Sequence, residues 1–367
     1  MLSTRTLTLA LAATVSAVML SAGDASASGD APGAVYALTN APAGNAVVVY
    51  DRGGDGRLTP AGSFATGGAG SGAGLGSQGA IVVSEDHRWL FAVNAGSHSI
   101  SSFRIRPNGL KLVDTAPSGG TMPTSLAFHG GLLYVLNAGV PNNVSGFTVS
   151  RNGRLVPLAG SMRPLSAPST SPAQVSFSDD GDILIVTERA TNLIDTFTID
   201  DNDGLPSGPF VHSSSGPVPF GFAVNKRDTL IVSEAGAGGG ASTYRIEDDG
   251  ALVPVSAMVM TGQRAACWAV VTKNGRYAYV INAGTGNISG VAIGKDGSAS
   301  LLDADGVTAV TGGNPTDAAL SHDSRYLYVR VAAANAIAAF RIRSDGSLGP
   351  LPALMGTPAG LAGLAGF

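Results

Sequence analysis

Few side chains in this sequence combine the type and the setting that chemistry needs, and three of them belong together by position. Glu188 and Glu234 follow two apolar runs, Ile183 to Val186 and Leu230 to Val232, at repeat positions where other runs end in asparagine. Arg189 comes directly after Glu188. Two carboxylates and a guanidinium in one place suit acid–base chemistry on a small anion, or a structural ion-pair network. The other candidates are thinner. The five histidines, His87, His98, His129, His212 and His322, show no metal-ligand spacing, so no metal is expected. Asp200-Asp201-Asn202-Asp203-Gly204 has the residue types of a calcium loop with its glycine out of register, and reads as a hairpin turn. Cys267 is the only cysteine, which excludes an internal disulfide and predicts a buried, inert thiol. The sequence holds no nucleophile elbow and no phosphate-binding glycine loop, and no cofactor is expected.

The elements that position these residues follow from a repeat. Asp55-Gly56, Asn108-Gly109, Asn152-Gly153, Asp203-Gly204, Asp249-Gly250, Asp296-Gly297 and Asp345-Gly346 recur at intervals of roughly 44 to 53 residues, the period of a four-stranded propeller blade. An alternating strand precedes each pair, as in Ile100 to Ile105 and Ile337 to Ile342. Before that strand lies a stronger apolar run, before the run a polar turn, and before the turn a short strand often led by proline. The pattern predicts an all-β, seven-bladed β-propeller with four antiparallel strands, A to D, in each blade. The Asx-Gly pairs are expected as two-residue hairpin turns with positive φ at both positions. The first repeat lacks strand A and begins with Val35 to Leu38 as strand B. The stretch Thr357 to Ala362 is similar to Met122 to Ala127, so Pro358 to Leu364 is expected to close the ring as the innermost strand of that first blade. Gly67 to Gly79 is nearly all Gly, Ala and Ser and reads as a flexible surface connection between blades 1 and 2.

In such a ring the start of strand A and the end of strand B meet at one mouth of the central channel. That predicts Glu188, Arg189 and Glu234 as the chemical groups there. Asn94, Asn137, Cys267, Trp268 and Asn282 are the expected ligand contacts, although the asparagines also have a local reason to bond their own backbone at a strand end. The composition excludes some partners. A net charge of −4 leaves no basic surplus for nucleic acid. With 44% hydrophobic residues, 13% charged residues and 51 glycines, the chain suits one large core joined by many tight turns. Residues 1–27 have the pattern of a secretory signal peptide: Arg5, an apolar run from Thr6 to Leu20, then small residues, with cleavage expected after Ala22 or Ala27. The propeller domain then spans 33–367, outside the cytoplasmic membrane, without a membrane span in the mature chain and as a monomer.

Leu133-Tyr134-Val135-Leu136-Asn137, Gly275 to Asn282 and the Asx-Gly turns resemble the seven-bladed lactonase family of bacterial 6-phosphogluconolactonases and fungal carboxymuconate-lactonizing enzymes, over roughly residues 33 to 367. Thr187 to Asn192, Pro219 to Phe222 and Ala265 to Trp268 look like a secreted, lactonase-like bacterial subgroup. The resemblance implies catalytic positions. The family's His-Pro-His segment falls on Ser171-Pro172-Ala173, its Gly-Pro-Arg-His segment on Gly216 to Pro219, its Glu on Glu234, and the Arg of its Asn-Arg pair on Ala283. Only the glutamate is retained, and a lone glutamate cannot both clamp an anion and run acid–base chemistry. Two functions stay open: a hydrolase or lyase with a site rebuilt around Glu188, Arg189 and Glu234, or a non-catalytic propeller that binds a small molecule, a glycan or a protein.

Overall fold

A computed structural model describes residues 32–367; the expected signal peptide lies outside the described residues. Seven antiparallel sheets follow one another along the chain and form a closed ring of blades. Blade 4 shows the pattern, with Pro172–Phe177 as strand A, Ile183–Glu188 as B, Leu193–Ile199 as C and Pro206–Ser213 as D. In blades 3 and 6 strand D is split in two, Leu155–Pro157 with Arg163–Pro164 and Ala299–Leu301 with Ala309–Val310, both pieces pairing with strand C. Helix is confined, among the described residues, to one 3-10 turn at Ala332–Ala334. No helix there is long and apolar enough to cross a membrane.

Strand B carries the strongest apolar signal because it lies between two neighbouring blades. All six residues of Trp89–Asn94, Ile183–Glu188, Thr229–Glu234 and Tyr277–Asn282 are buried. The core therefore sits in the seams between blades. Tyr134, Val175 and Phe197, for example, belong to one cluster across the joint between blades 3 and 4.

The Asx-Gly turns differ from the expected form. Only the glycine takes positive φ, from 73° to 110° across the seven pairs, and no Asx partner does. In blades 1, 3, 5, 6 and 7 the turn carries one residue more than a two-residue hairpin. Glu247 N–H reaches Ala251 O and Gly250 N–H reaches Glu247 O, the bonding of a type I turn ending in a left-handed glycine. The acid serves the turn in another way. Asp249 accepts the N–H of Ala251, and Asp55, Asp296 and Asp345 likewise accept the N–H two residues on.

The glycine carbonyl explains why the pair recurs. In six of the seven joints a hydroxyl of one blade donates to that carbonyl in the next. The donors are Ser102 to Gly153, Tyr134 to Gly204, Thr196 to Gly250, Thr243 to Gly297, Tyr279 to Gly346 and Tyr328 to Gly56, at 2.6 to 2.9 Å. Each is a buried bond between adjacent blades, and each fixes the angle at which one blade meets the next.

The C-terminal strand closes the ring. Ala362–Gly366 pairs antiparallel with Gly33–Leu38, with Val35 opposite Gly366 and Leu38 opposite Ala362. Pairing begins a few residues later than Pro358, because Pro358 to Leu361 forms a turn. Blade 7 holds the closing segment from its other side. Asp317 accepts the N–H of Leu364 at 3.1 Å, and Arg330 donates to Ala359 O at 3.0 Å.

Candidate functional site at the upper mouth of the ring

The upper face is the one where strand A starts and strand B ends. Every residue expected there does lie at that end of its blade, but the side chains that end strand B turn away from the channel. Asn94 donates to Ser101 Oγ at 2.8 Å, Asn137 to Ser145 Oγ at 3.1 Å and Asn282 to Ser289 Oγ at 2.8 Å, each on strand C of its own blade. Glu234 accepts from Ser242 Oγ at 2.5 Å on the same pattern, and from Ser214 Oγ at 2.7 Å. Glu188 accepts from Ser166 Oγ at 2.5 Å and Thr191 Oγ1 at 2.6 Å. All five are fully buried. They do not surround a common opening, and the two carboxylates belong to separate networks.

The exchange of Asn for Glu in blades 4 and 5 has a local cause. The linker entering each blade passes over this residue. In blades 2 and 3 the linker presents a carbonyl, Thr66 O to Ser101 and Ser118 O to Ser145 and Asn137, so the groups below must donate. In blades 4 and 5 it presents donors, the N–H and hydroxyl of Ser166 and the hydroxyl of Ser214, so the groups below must accept. A carboxylate is the side chain that only accepts.

Blade 4 places a second acid in this network. The N–H of Ser166 reaches both Glu188 Oε1, at 3.1 Å, and Asp195 Oδ2, at 2.9 Å. Burial, and then the neighbouring Glu188 charge, push the Asp195 carboxyl well above the usual carboxylate range. Burial likewise raises the Glu234 carboxyl. Burial also raises Asp317 to about 7. The sign for stability is the same in each case. The folded chain holds protons that the unfolded chain releases near pH 4, so stability is fullest below that pH and falls as pH rises, for Asp317 until about pH 7. The slope is at most about 1.4 kcal/mol per pH unit for each proton. Asp195→Asn keeps the shape and removes the charge. The gap between urea midpoints at pH 5 and pH 8 is expected to narrow in that variant, with Asp317 keeping part of it, and an unchanged gap would contradict the raised Asp195 carboxyl.

The mouth itself is filled by the chain. Residues 67–79, expected as a loose surface connection, enter the ring instead. Gly70 and Gly72 N–H bond Ala41 O and Asn40 O, and Asn40 Nδ2 grips Ala73 O at 2.7 Å. From there the segment reaches the far side of the channel. Ser77 Oγ donates to Thr124 O of blade 3 at 2.8 Å, and Gln78 N–H to Ala173 O of blade 4 at 3.1 Å. The Gln78 amide then bonds both N–H and C=O of Ala269 in blade 6, at 3.1 and 2.8 Å, and Phe222 O of blade 5 at 3.4 Å. The Trp268 indole donates to Ser77 O at 3.0 Å. Two residues thus tie four inner strands together. Their small neighbours permit it: a Cβ on Gly70 would lie 2.1 Å from the Asn40 backbone, and one on Gly221 would lie 2.2 Å from Gln78 Oε1.

Arg189 and Cys267 complete this plugged mouth. Arg189 donates to Ser171 O and Oγ, at 2.9 and 3.0 Å, lies 5.1 Å over the Phe220 ring and borders Gly76 of the plug. It packs beside the plug and pairs with neither glutamate. Burial pushes the Cys267 thiol up to about 12, against the pull of Arg189, so it stays protonated. Sequence reasoning places Asn40 at this mouth as a strand B end but misses Gln78 and Gln174 as groups that organise this face. The one available signal is Leu75, a large apolar residue alone in a Gly/Ser/Ala run, and it is buried in the core.

A protein-family model for the seven-bladed β-propeller lactonase matches residues 35–162, 142–267 and 233–359. The chain belongs to the lactonase propeller family. No curated protein matches it by sequence. Among solved structures, a candidate 6-phosphogluconolactonase from Bacteroides fragilis is 18% identical, with a TM-score of 0.74, over 91% of this chain and 98% of that one. The periplasmic gluconolactonase of Pseudomonas aeruginosa is 19% identical, with a TM-score of 0.70, over 90% and 99%. At these identities the likeness concerns the fold. The positions where the resemblance implies the family's histidines and arginines hold Ala173, Val218, Pro219 and Ala283. Ala173 is buried, and its carbonyl is bonded by the plug. Glu234, the retained position, lies under Ser214. Among the described residues no cluster of three His, Cys, Asp or Glu could hold a metal ion.

Proposed function

We propose that this chain is an exported, monomeric lactonase-family propeller that binds a small ligand and does not hydrolyse lactones. The observation that supports the reading is the plug. Ser77 and Gln78 occupy the place where a substrate at the upper mouth would sit, and their bonds to Thr124, Ala173 and Ala269 use inner-strand groups that would face it. The groups left at that face also lack the chemistry. Both glutamates are buried under hydroxyl donors, and Arg189 is committed to Ser171. A general base must reach its proton within hydrogen-bond distance, and Glu188, Glu234 and Asp195 are fully buried beneath the linkers, out of reach of a ligand at this mouth.

The test uses protein recovered from the culture medium, whose N-terminal sequence is expected to begin near Gly23 or Ser28. With 6-phosphogluconolactone and glucono-lactone, hydrolysis is expected to equal that of a boiled control. Turnover above about 1 per second, within the ordinary enzyme range, would overturn the reading.

A further inference from the structure

The lower face, where strand A turns into B and strand C into D, carries its charge unevenly. Five of the seven Asx-Gly turns there hold aspartate, and the two that hold asparagine, Asn108 and Asn152, belong to blades 2 and 3. The residues around those two are basic. Arg106 precedes the first and Lys111 follows it, and Arg151 and Arg154 flank the second. In blades 4 and 5 the same turns read Asp200-Asp201-Asn202-Asp203 and Glu247-Asp248-Asp249. Strand pairing then sets the cations together. Arg104 and Lys111 stand directly opposite each other on Ser99–Arg106 and Gly109–Pro117. Like charges paired across two strands lower stability. Other blades avoid this at the equivalent positions. Arg245 meets Glu247 at 2.6 Å, Arg341 stands opposite Gly349, and Arg343 donates to Ser347 Oγ at 3.3 Å.

Two open hollows lie along this rim and share Trp89. One, of about 290 Å³, is lined by Arg104, Arg106, Lys111 and Arg154 and by no carboxylate. The other, of about 460 Å³, is lined by Arg88 and Arg151 together with Phe128 and Val149. Glu85 and Asp86 line it too. Asp86 lies 3.7 Å from Arg88 and also feels the charge of Arg104, and Glu85 lies 3.8 Å from His129. Two further acids stand near. Asp114 accepts the N–H groups of Thr115 and Leu155, and Asp51 of blade 1 shares a separate hollow with Arg106. Along the two hollows six Arg and Lys side chains face two carboxylates, in a chain of net charge −4.

We propose that the lower rim of blades 2 and 3 docks an acidic polysaccharide, a linear chain of sugar rings that carry anionic groups. Cations spread over two adjoining hollows match a repeating anion better than one small ion. Leu112, Val113, Phe128 and Val149 lie among those cations and suit the carbon faces of sugar rings. Nucleic acid fits less well, because Trp89 is buried and offers no open ring on which bases could stack. The proposal goes beyond the small-ligand reading and uses no group of the plugged mouth.

Polygalacturonate is the probe, dextran its neutral counterpart and poly-glutamate its peptide counterpart, with calorimetric titration as the readout. Saturable binding of polygalacturonate is expected, about tenfold tighter than that of poly-glutamate, and none of dextran. Binding is expected to weaken about tenfold between roughly 20 and 150 mM salt. Lys111→Gln is expected to weaken it about tenfold while melting no lower than the parent, because the like-charge pair with Arg104 is gone. Adding Arg154→Gln is expected to weaken it further. The double change Lys226→Gln with Lys295→Gln, at exposed residues of blades 5 and 6, alters net charge by the same amount and is expected to leave binding unchanged. No saturation, equal affinity for dextran or poly-glutamate, or equal losses in the two double variants would overturn the proposal. Lactone hydrolysis of either outcome bears on the upper mouth and leaves this test standing.

Discussion

Removal of residues 358–367 is expected to abolish cooperative thermal unfolding. The deleted segment carries Leu361 and Leu364, buried between blades 1 and 7, and Ala365, buried in the cluster shared with blade 2. Burying two leucines is worth about 1.5 to 3 kcal/mol each. The lost backbone pairs with Val35 to Leu38, and the bond from Leu364 N–H to Asp317, add about 1 kcal/mol apiece. The sum is comparable to the whole stability of an ordinary domain, about 5 to 15 kcal/mol. Deletion also leaves an open sheet edge on blade 1, which favours association. A soluble monomer melting within a few degrees of the full chain would refute closure by this strand. Asp317→Asn is the milder companion. It keeps an acceptor for Leu364 and is expected to fold.

Gln78→Ala is expected to have the largest effect of any single substitution in the linkers between blades. Surface changes in a glycine-rich linker ordinarily shift stability by under about 0.5 kcal/mol. Here one amide meets the backbone of blades 5 and 6, and its loss orphans the N–H and C=O of Ala269. Each buried orphan costs about 1 to 3 kcal/mol. We expect a loss of about 2 to 4 kcal/mol and a fall in Tm of roughly 3 to 6 °C. Ser71→Ala, nearer the solvent in the same segment, should stay close to the parent. Equal, small effects at both positions would mean that the segment is not seated in the ring.

The blades were legible in the sequence because their signals are local. Runs such as Tyr277 to Ile281 are buried on both faces, and a left-handed glycine must follow each Asx, so both leave marks at fixed spacing. Ring closure was legible because one repeat lacked an inner strand that the C-terminal stretch supplies. The turn geometry was not, since Asp-Gly suits several turn types and the outcome depends on one extra residue in the hairpin. The site was legible only as a location. Glu188 and Glu234 stand out against asparagine at their repeat positions, yet the groups that decide their role, Ser166 and Ser214, lie about 20 residues away in irregular linkers. The plug was hidden for a similar reason. Gly and Ser composition signals freedom when a segment is solvated, but it also allows close approach to other backbones, and only tertiary contacts distinguish the two.

The segment through Ser77 and Gln78 closes the upper mouth only if it is a fixed part of the ring, and amide hydrogen exchange tests that directly. Gln78 N–H bonds Ala173 O, while Leu126 N–H and Ala269 N–H end on Gly79 O and Gln78 Oε1. The amides of Gln78, Leu126 and Ala269 are therefore expected to exchange as slowly as those of the buried strand Trp89–Asn94. Exchange of the Gln78 amide within seconds, while that strand stays protected, would show an open upper mouth and contradict the plugged ring.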